Sequence, residues 1–237
     1  MLYLIGLGLD VKGISTEGLA IAKKCKKVYL ENYTVDFPYS IEQLKEVIGK
    51  KIIPANREFV EGLGIIDEAR KKDVCLLVYG SPLSATTHIT LLEEAKKCGV
   101  RYKVIYSASV FDAVAETGLQ LYKFGKVASM PKWNKGKKFT PESFIDIVNE
   151  NNSIKAHSLI LIDIGLEFGS AIEQLIESSS GKVKIGKIVV CSRLGTKHRK
   201  ISYDFIEKLK NKKVDAPYCI IIPGKLHFVE KEVLEKL

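Results

Sequence analysis

The 237-residue sequence lacks the features of several common protein classes. No apolar run approaches the roughly 20 residues that a membrane-spanning helix needs. The opening MLYLIGLGLD has no basic stretch, and glycines interrupt its apolar residues, so we expect no signal peptide. We therefore expect a cytoplasmic protein with no membrane partner.

Paired cysteines and clustered histidines are also missing. The five cysteines are odd in number and form no CxxC pair, so we expect reduced thiols. Cys75, Cys191 and Cys219 lie in apolar runs, where a thiol is typically a small core residue. The four histidines lie far apart with no metal-ligand spacing, and we expect no bound metal.

Well-known catalytic and nucleotide-binding motifs are absent too. The sequence contains no GxSxG, no HExxH and no P-loop lysine. The early GLGLD has glycines at Gly6 and Gly8, but Val11 stands where the dinucleotide fingerprint needs a third glycine. These absences argue against serine hydrolases, zinc proteases, P-loop enzymes and NAD-binding domains.

The composition is that of a globular protein with a basic balance. Apolar residues make up 46% and charged residues 27%, with a net charge of +9 from 37 basic and 28 acidic side chains. Such a charge favours an acidic partner, either nucleic acid or a protein surface, and the densest segments are Lys132–Lys138 and Lys197–Lys200. Many other lysines end predicted helices, where they suit the helix dipole, so solvated faces are the alternative.

Apolar strands alternate with amphipathic helices along the chain. Val74–Tyr79 and Leu159–Ile164 are continuous apolar runs, which is typical of strands buried on both faces. The alternation predicts an α/β fold with a largely parallel sheet. Leu121–Lys138, rich in glycine and lysine, resembles a junction, and we predict two α/β domains, 1–122 and 123–237.

Helix bounds follow from the apolar spacing. We predict helices over Arg57–Lys71, Ala85–Cys98 and Tyr203–Leu209, and a helix that starts at Pro141 with Thr140 as its cap.

Small and hydroxyl-bearing residues follow three predicted strands of the first half. They are Gly6 to Asp10, Gly80 to His88 and Tyr106 to Val110. Parallel sheets bind ligands at the carboxyl ends of their strands, and free amides at a helix start suit a carboxylate or phosphate. Tight turns and helix caps explain each segment individually. Taken together, the three segments predict a ligand crevice.

Several motifs resemble the diphthine synthase family of tetrapyrrole-methylase-like enzymes. The similarity runs almost from end to end. The motifs are MLYLIGLGLD, ENYT (Glu31–Thr34), GSPLSATTH (Gly80–His88), SASVFDAV (Ser107–Val114), GLQLYKFGK (Gly118–Lys126), LILIDI (Leu159–Ile164) and IIIPGKLH (Ile220–His227).

The resemblance implies two α/β domains of the tetrapyrrole-methylase type, with S-adenosylmethionine in the cleft between them, and a homodimer. It implies repeated methylation of the amino group of a 3-amino-3-carboxypropyl histidine on translation elongation factor 2, with S-adenosylhomocysteine as product and no stable nucleic-acid partner. Methyl transfer from a sulfonium relies on positioning and desolvation, which is consistent with the absence of catalytic motifs.

By motif position, the resemblance also implies which residues bind the cofactor. These are Leu9, Ser81, Ser84, Ser109 and Val110 in the first half, and Ile162, Leu194 in CSRLG and Tyr218 in the second. No residue is assigned as catalytic, although Asp112, Asp163 and Glu167 are available carboxylates.

The chain departs from the family pattern at two of these positions. Ser81 gives GSPL where the family usually has GDPL, and Tyr218 stands where histidine is frequent. Serine accepts a hydrogen bond but brings no negative charge to offset the cofactor's cations. Two alternatives stay open: a methyltransferase of the same fold that acts on ribosomal RNA or a tetrapyrrole, and a non-catalytic binding protein.

Overall fold

A computed structural model describes residues 1–237, which divide into two units, Met1–Phe111 and Asp112–Leu237. Each unit contains one five-stranded sheet. No helix combines the length and the apolar content that crossing a bilayer requires. All five cysteines are free thiols.

The first unit is a parallel sheet with strand order β3-β2-β4-β1-β5. Its strands are β1 (Leu2–Gly6), β2 (Lys27–Glu31), β3 (Ile52–Ala55), β4 (Val74–Val78) and β5 (Tyr102–Ile105). Its helices are α1 (Thr16–Lys24), α2 (Ile41–Ile48), α3 (Arg57–Glu61), α4 (Gly64–Lys71) and α5 (Ile89–Lys97), and α6 (Val110–Ala113) crosses into the second unit.

The central strand β4 is buried along its whole length, as the apolar run predicts. Leu76 packs into one apolar cluster, while its neighbours Cys75 and Leu77 pack into another. Successive side chains of a strand point to opposite faces, so helices cover both faces of this sheet. The prediction of a doubly covered parallel sheet is confirmed for the first unit.

Two helices of the first unit differ from their predicted bounds. The predicted helix Arg57–Lys71 is broken at Leu63, which has a φ of 66°, so α3 and α4 are separate. The predicted helix Ala85–Cys98 begins only at Ile89. Ala85 has a φ of 54°, because the preceding residues form a turn rather than a helical start.

The second unit has a mixed sheet with strand order β6-β7-β10-β8-β9. Its strands are β6 (Ala128–Met130), β7 (Ser158–Ile162), β8 (Lys187–Ser192), β9 (Lys200–Phe205) and β10 (Tyr218–Ile222). Its helices are α7 (Ser143–Ser153), α8 (Phe168–Ser179), α9 (Ile206–Leu209) and α10 (Phe228–Leu234), with 3₁₀ turns at Val114–Thr117, Leu121–Lys123 and Lys135–Lys137. β6 and β7 are parallel, and the other pairs are antiparallel, so the prediction of a largely parallel sheet is wrong for this unit.

Two helix predictions for the second unit are also wrong. The predicted helix Tyr203–Leu209 is helical only from Ile206, because Tyr203 pairs with Val189 in the β8–β9 hairpin. The helix predicted to start at Pro141 begins at Ser143, with Glu142 and not Thr140 at the cap position. The helix α9 has only four residues, and apolar spacing over so short a segment does not distinguish a helix from a strand.

Replacing Leu76 with alanine tests the first core. Leu76 is fully buried in the central strand, so we expect the substitution to lower the free energy of unfolding by about 2–5 kcal/mol. Denaturant unfolding measures the change, with exposed Lys71→Ala as the control, which we expect to change stability by less than about 0.5 kcal/mol. Equal stability of the two variants would contradict the packing described above.

Candidate functional site

The loops after β1 and β4 are joined by backbone hydrogen bonds beyond the ends of their strands. Leu7 N donates to Val78 O at 2.9 Å, and Gly8 and Gly80 exchange two bonds of 3.1 and 3.0 Å. This bridge is antiparallel, although β1 and β4 run parallel, so the two loops run in opposite directions where they are joined, directly before Leu9 and Ser81. The two predicted strand-end segments form one edge.

The two early glycines are explained by this close packing. A Cβ on Gly6 would lie 2.7 Å from Gly80 O and 2.9 Å from Ser107 Cβ. Gly8 has a φ of +67°, and a Cβ there would lie 2.9 Å from Gly13 O. The tight-turn explanation of the glycines is therefore correct, and the turn brings the loops together at the strand ends.

The loop after β5 joins the same edge. Ser107 Oγ donates to Gly13 O at 3.0 Å, which ties this loop to the one after β1. Ser109 is buried, and its Oγ accepts from Phe111 N at 3.2 Å at the start of α6, where Val110 is the first residue. Leu9, Ser81, Ser84, Ser109 and Val110 thus lie on three neighbouring loops at one sheet edge.

An aromatic cluster fixes the position of Leu9. Tyr79 Oη donates to Leu9 O at 3.2 Å, and its ring lies 5.4 Å from Phe37 and 6.4 Å from Tyr39. Burial, with smaller effects of Tyr79 and Asp10, raises the pKa of Tyr39 far above its ordinary value, so Tyr39 stays neutral. Through the hydrogen bond of Tyr79, the aromatic cluster fixes the loop that carries Leu9.

The turn between Gly80 and Ile89 is held by its own side chains. Pro82 O accepts from Thr86 Oγ1 at 2.7 Å and lies 3.1 Å from His88 Nδ1. His88 is buried and serves as an anchor of the turn. In contrast, the hydroxyls of Ser81 and Ser84 make no hydrogen bond within the protein, so both are available to a ligand.

The second unit brings its three predicted residues to one edge of its sheet. β10 runs antiparallel to β7 and β8, with Cys219 opposite both Leu161 and Cys191. The start of β10 therefore meets the ends of the other two strands, which places Ile162, Leu194 and Tyr218 together.

Tyr218 is fixed in this edge by two contacts. Its hydroxyl donates to Leu166 O at 2.8 Å, and its ring meets that of Phe168 edge-on at 5.6 Å. Arg193 N donates to Pro217 O at 2.8 Å, which ties the loop after β8 to the start of β10. Leu194 is 6% exposed and Ile162 is half-buried, so this edge is largely apolar.

Of the two carboxylates noted in the sequence near this edge, Asp163 is engaged in loop structure and Glu167 is exposed without a side-chain cap bond. Asp163 accepts from Lys132 N at 3.2 Å and from Ile164 N at 3.0 Å. Glu167 occupies the cap position of α8. Neither geometry indicates a proton acceptor for catalysis.

Sequence reasoning did not anticipate a buried polar network in the second unit. Glu230 is fully buried and accepts from Gln120 N at 3.0 Å, from His227 N at 2.7 Å and from the Lys123 ammonium. His157 Nε2 lies 3.1 Å from Glu230 Oε1. The network joins the LYKFG and PGKLH motifs, for which the sequence suggested no role.

The hydrogen bonds define the protonation state of this network. Gly224 N donates to His157 Nδ1 at 2.9 Å, so the imidazole is protonated at Nε2 and donates to Glu230. Burial lowers the pKa of His157. Burial alone would raise the pKa of Glu230, but the bonds from Lys123 and its other donors outweigh that effect and lower it to about 2.

One local signal for this network was present in the sequence. His227 and Glu230 are three residues apart at the start of α10 and form a capping box. The long-range partners His157 and Lys123 have no such signal.

Comparison with known proteins places these observations in a family. Residues 1–210 match the profile of the tetrapyrrole (corrin/porphyrin) methylases. The diphthine synthase of Methanocaldococcus jannaschii is 39% identical over 100% of this chain and 98% of its own length. The diphthine methyl ester synthase of Mus musculus is 35% identical over 99% of this chain and 95% of its own. A crystal structure of a diphthine synthase, 34% identical, superimposes with a TM-score of 0.90 over 99% of this chain and 94% of that one.

Replacing Glu230 with glutamine tests the network. We expect the variant to lose about 3 kcal/mol of unfolding free energy at pH 7, since Lys123 and His157 lose a charged acceptor. The pKa of Glu230 falls from 4.5 to about 2 on folding, so its contribution is complete above pH 4.5 and is lost as the pH drops towards 2.

Unfolding in denaturant between pH 7 and pH 2 measures this effect. We expect the stability difference between the wild type and Glu230→Gln to shrink across that acid range. Glu235→Gln, an exposed position at the other end of the same helix, is the control and should change stability by less than about 1 kcal/mol. A difference that stays constant with pH would disprove the assigned role of Glu230.

Proposed function

The chain belongs to the diphthine synthase family of tetrapyrrole methylases, and we propose that its acceptor is a 3-amino-3-carboxypropyl histidine on translation elongation factor 2. As a member of this family, the chain is a methyltransferase of diphthamide biosynthesis that uses S-adenosylmethionine. The assignment of this acceptor rests on the similarity, over the whole chain, to enzymes named for diphthine.

We propose that the residues at the two sheet edges hold the cofactor. In the first unit these are Leu9, Ser81, Ser84, Ser109 and Val110, and in the second Ile162, Leu194 and Tyr218. The chemistry of both sets fits S-adenosylmethionine. The free hydroxyls of Ser81 and Ser84 suit its polar amino-acid end, and the apolar side chains suit its adenine.

S-adenosylmethionine supplies a methyl group that its sulfonium has already activated. The protein therefore has to orient the acceptor and exclude water rather than provide a strong acid or a metal. The tied loops of the first unit suit this task, because Gly8, Gly80, Ser107 and Tyr79 hold them at fixed positions. We propose no metal in the reaction and S-adenosylhomocysteine as the product.

The names of the relatives are compatible with two methyl acceptors, the amino nitrogen and a carboxylate oxygen. A diphthine synthase and a diphthine methyl ester synthase both align with the whole chain. We propose repeated methylation of the amino group. Methylation of the carboxylate is the alternative, and the chemical identity of the product distinguishes the two. Because the proposed acceptor belongs to a translation factor, we propose that the enzyme works in the cytoplasm, as a homodimer.

A methylation assay tests the acceptor. Purified enzyme, labelled S-adenosylmethionine and elongation factor 2 carrying the carboxypropyl-histidine intermediate should yield label on that histidine. Mass spectrometry should find more than one methyl group there, and mild alkali should leave them in place, since it removes only a methyl ester. Label lost in alkali would move the proposal to the carboxylate.

The same assay separates the other functions. No label on the factor would overturn the proposed acceptor, and transfer to ribosomal RNA or to a tetrapyrrole would replace it. Calorimetry with S-adenosylhomocysteine tests the non-catalytic alternative, because a protein without methyltransferase activity need not bind it.

Ser81→Asp tests the proposed cofactor contact. The substitution restores the acid of the family's GDPL turn and places a carboxylate where the proposal puts the cofactor's ammonium. We expect about five- to tenfold tighter binding of S-adenosylhomocysteine by calorimetry. Ser180→Asp, exposed at the end of α8, adds the same charge as a control and should leave the affinity unchanged. Equal affinities of the two variants would remove Ser81 from the site.

A further inference from the structure

A groove in the second unit lies outside the sheet edges assigned to the cofactor. Its volume is about 500 Å³, and its walls include Tyr122, Ile154, Lys155, Lys225 and His227. The walls adjoin the start of β7 and the end of β10. Ile162 lies at the other end of β7, about 13 Å from Ser158 along this five-residue strand, so the groove is at the opposite sheet edge.

The groove is preformed, because its three wall segments are bonded to one another. His157 N donates to Lys123 O, and Gly125 N donates to His157 O, both at 2.9 Å. Lys225 N donates to Lys155 O at 3.1 Å. The buried carboxylate of Glu230 bonds the same three segments from below, through Lys123, His157 and the backbone near His227. Preformed walls lower the ordering cost of binding.

The groove is both basic and apolar. Lys155 and Lys225 are exposed, and their ammonium groups form no ion pair. No acidic side chain lines the groove. Tyr122 is 82% exposed and Ile154 71%, which leaves a ring and an aliphatic side chain in solvent beside the two cations.

These properties favour the binding of an extended acidic peptide segment that also carries apolar side chains. A carboxylate-bearing peptide would meet two unpaired ammonium groups, and an apolar side chain would cover Tyr122 and Ile154. A second copy of the chain fits less well, since the same groove on both copies would bring lysine against lysine.

We propose that this groove docks an acidic segment of the protein acceptor, away from the edge where methyl transfer takes place. This inference rests on the proposed function, because it takes the acceptor to be a folded protein. Docking at a remote surface strengthens capture of the acceptor without altering the geometry at the reacting atoms. A lysine substitution in the groove should therefore change KM and leave kcat intact.

The double variant Lys155→Glu/Lys225→Glu tests the proposal. Steady-state methyl transfer to elongation factor 2 carrying the intermediate should show a KM raised at least about tenfold, with kcat within about twofold of wild type. The rise should become smaller at high salt, as charges attract less strongly there. Calorimetry should find the affinity for S-adenosylhomocysteine unchanged.

The matched control is Lys26→Glu/Lys184→Glu. Both lysines are exposed loop residues without an ion pair, so the net charge changes equally while the groove stays intact. We expect a KM within about twofold of wild type. Tyr122→Ser, which keeps every charge, should raise KM separately through its apolar contact.

Three results would overturn the docking proposal. A groove variant with the KM of the control would show that the lysines act only through net charge. A change of oligomeric state in analytical ultracentrifugation, with KM unaltered, would assign the groove to self-association. No methylation of the factor by the wild-type enzyme would overturn the proposed function as well, and that outcome differs from the others because no product forms.

Discussion

The backbone pairing of Gly8 with Gly80 is the constraint on which the first unit's site depends. It lies past the ends of the parallel strands β1 and β4 and joins their two loops through an antiparallel bridge. Gly6 allows this approach because a side chain there would collide with Gly80 O and Ser107. The loop after β5 then binds to the pair through Ser107. A rigid edge built mainly from backbone is a sensible support for a reaction that needs positioning more than acid–base groups.

The parallel sheet of the first unit could be predicted from the sequence, because continuous apolar runs such as Val74–Tyr79 allow few other structures. The mainly antiparallel pairing of the second sheet could not. Short elements could not be predicted either. Tyr203 lies in a strand because its pairing with Val189 outweighs local helical spacing, and Leu63 interrupts a helical pattern by adopting a left-handed conformation. The long-range pairing of Tyr203 and the backbone conformation of Leu63 are both absent from the apolar periodicity.

The candidate site, too, could be predicted from the sequence only in part. Small hydroxyl-bearing residues after parallel strands indicated a ligand edge, and the structure brings Leu9, Ser81 and Ser109 to neighbouring loops. Glu230 was not anticipated, since it lies 73 residues from His157 and 110 from Gln120. Only folding joins these groups. They now explain the LYKFG and PGKLH motifs as the support of a groove at the opposite sheet edge from Ile162 and Tyr218.

Backbone hydrogen exchange with and without S-adenosylhomocysteine tests the central claim, that the strand-end loops of both units hold the cofactor. The account predicts slower exchange on binding at residues 8–10, 80–84 and 107–111 of the first unit, and at 162–166, 193–195 and 217–218 of the second. The groove segments 154–156 and 224–228 should exchange at the same rate in both states. Binding without protection at the strand ends, or protection confined to the groove, would contradict it.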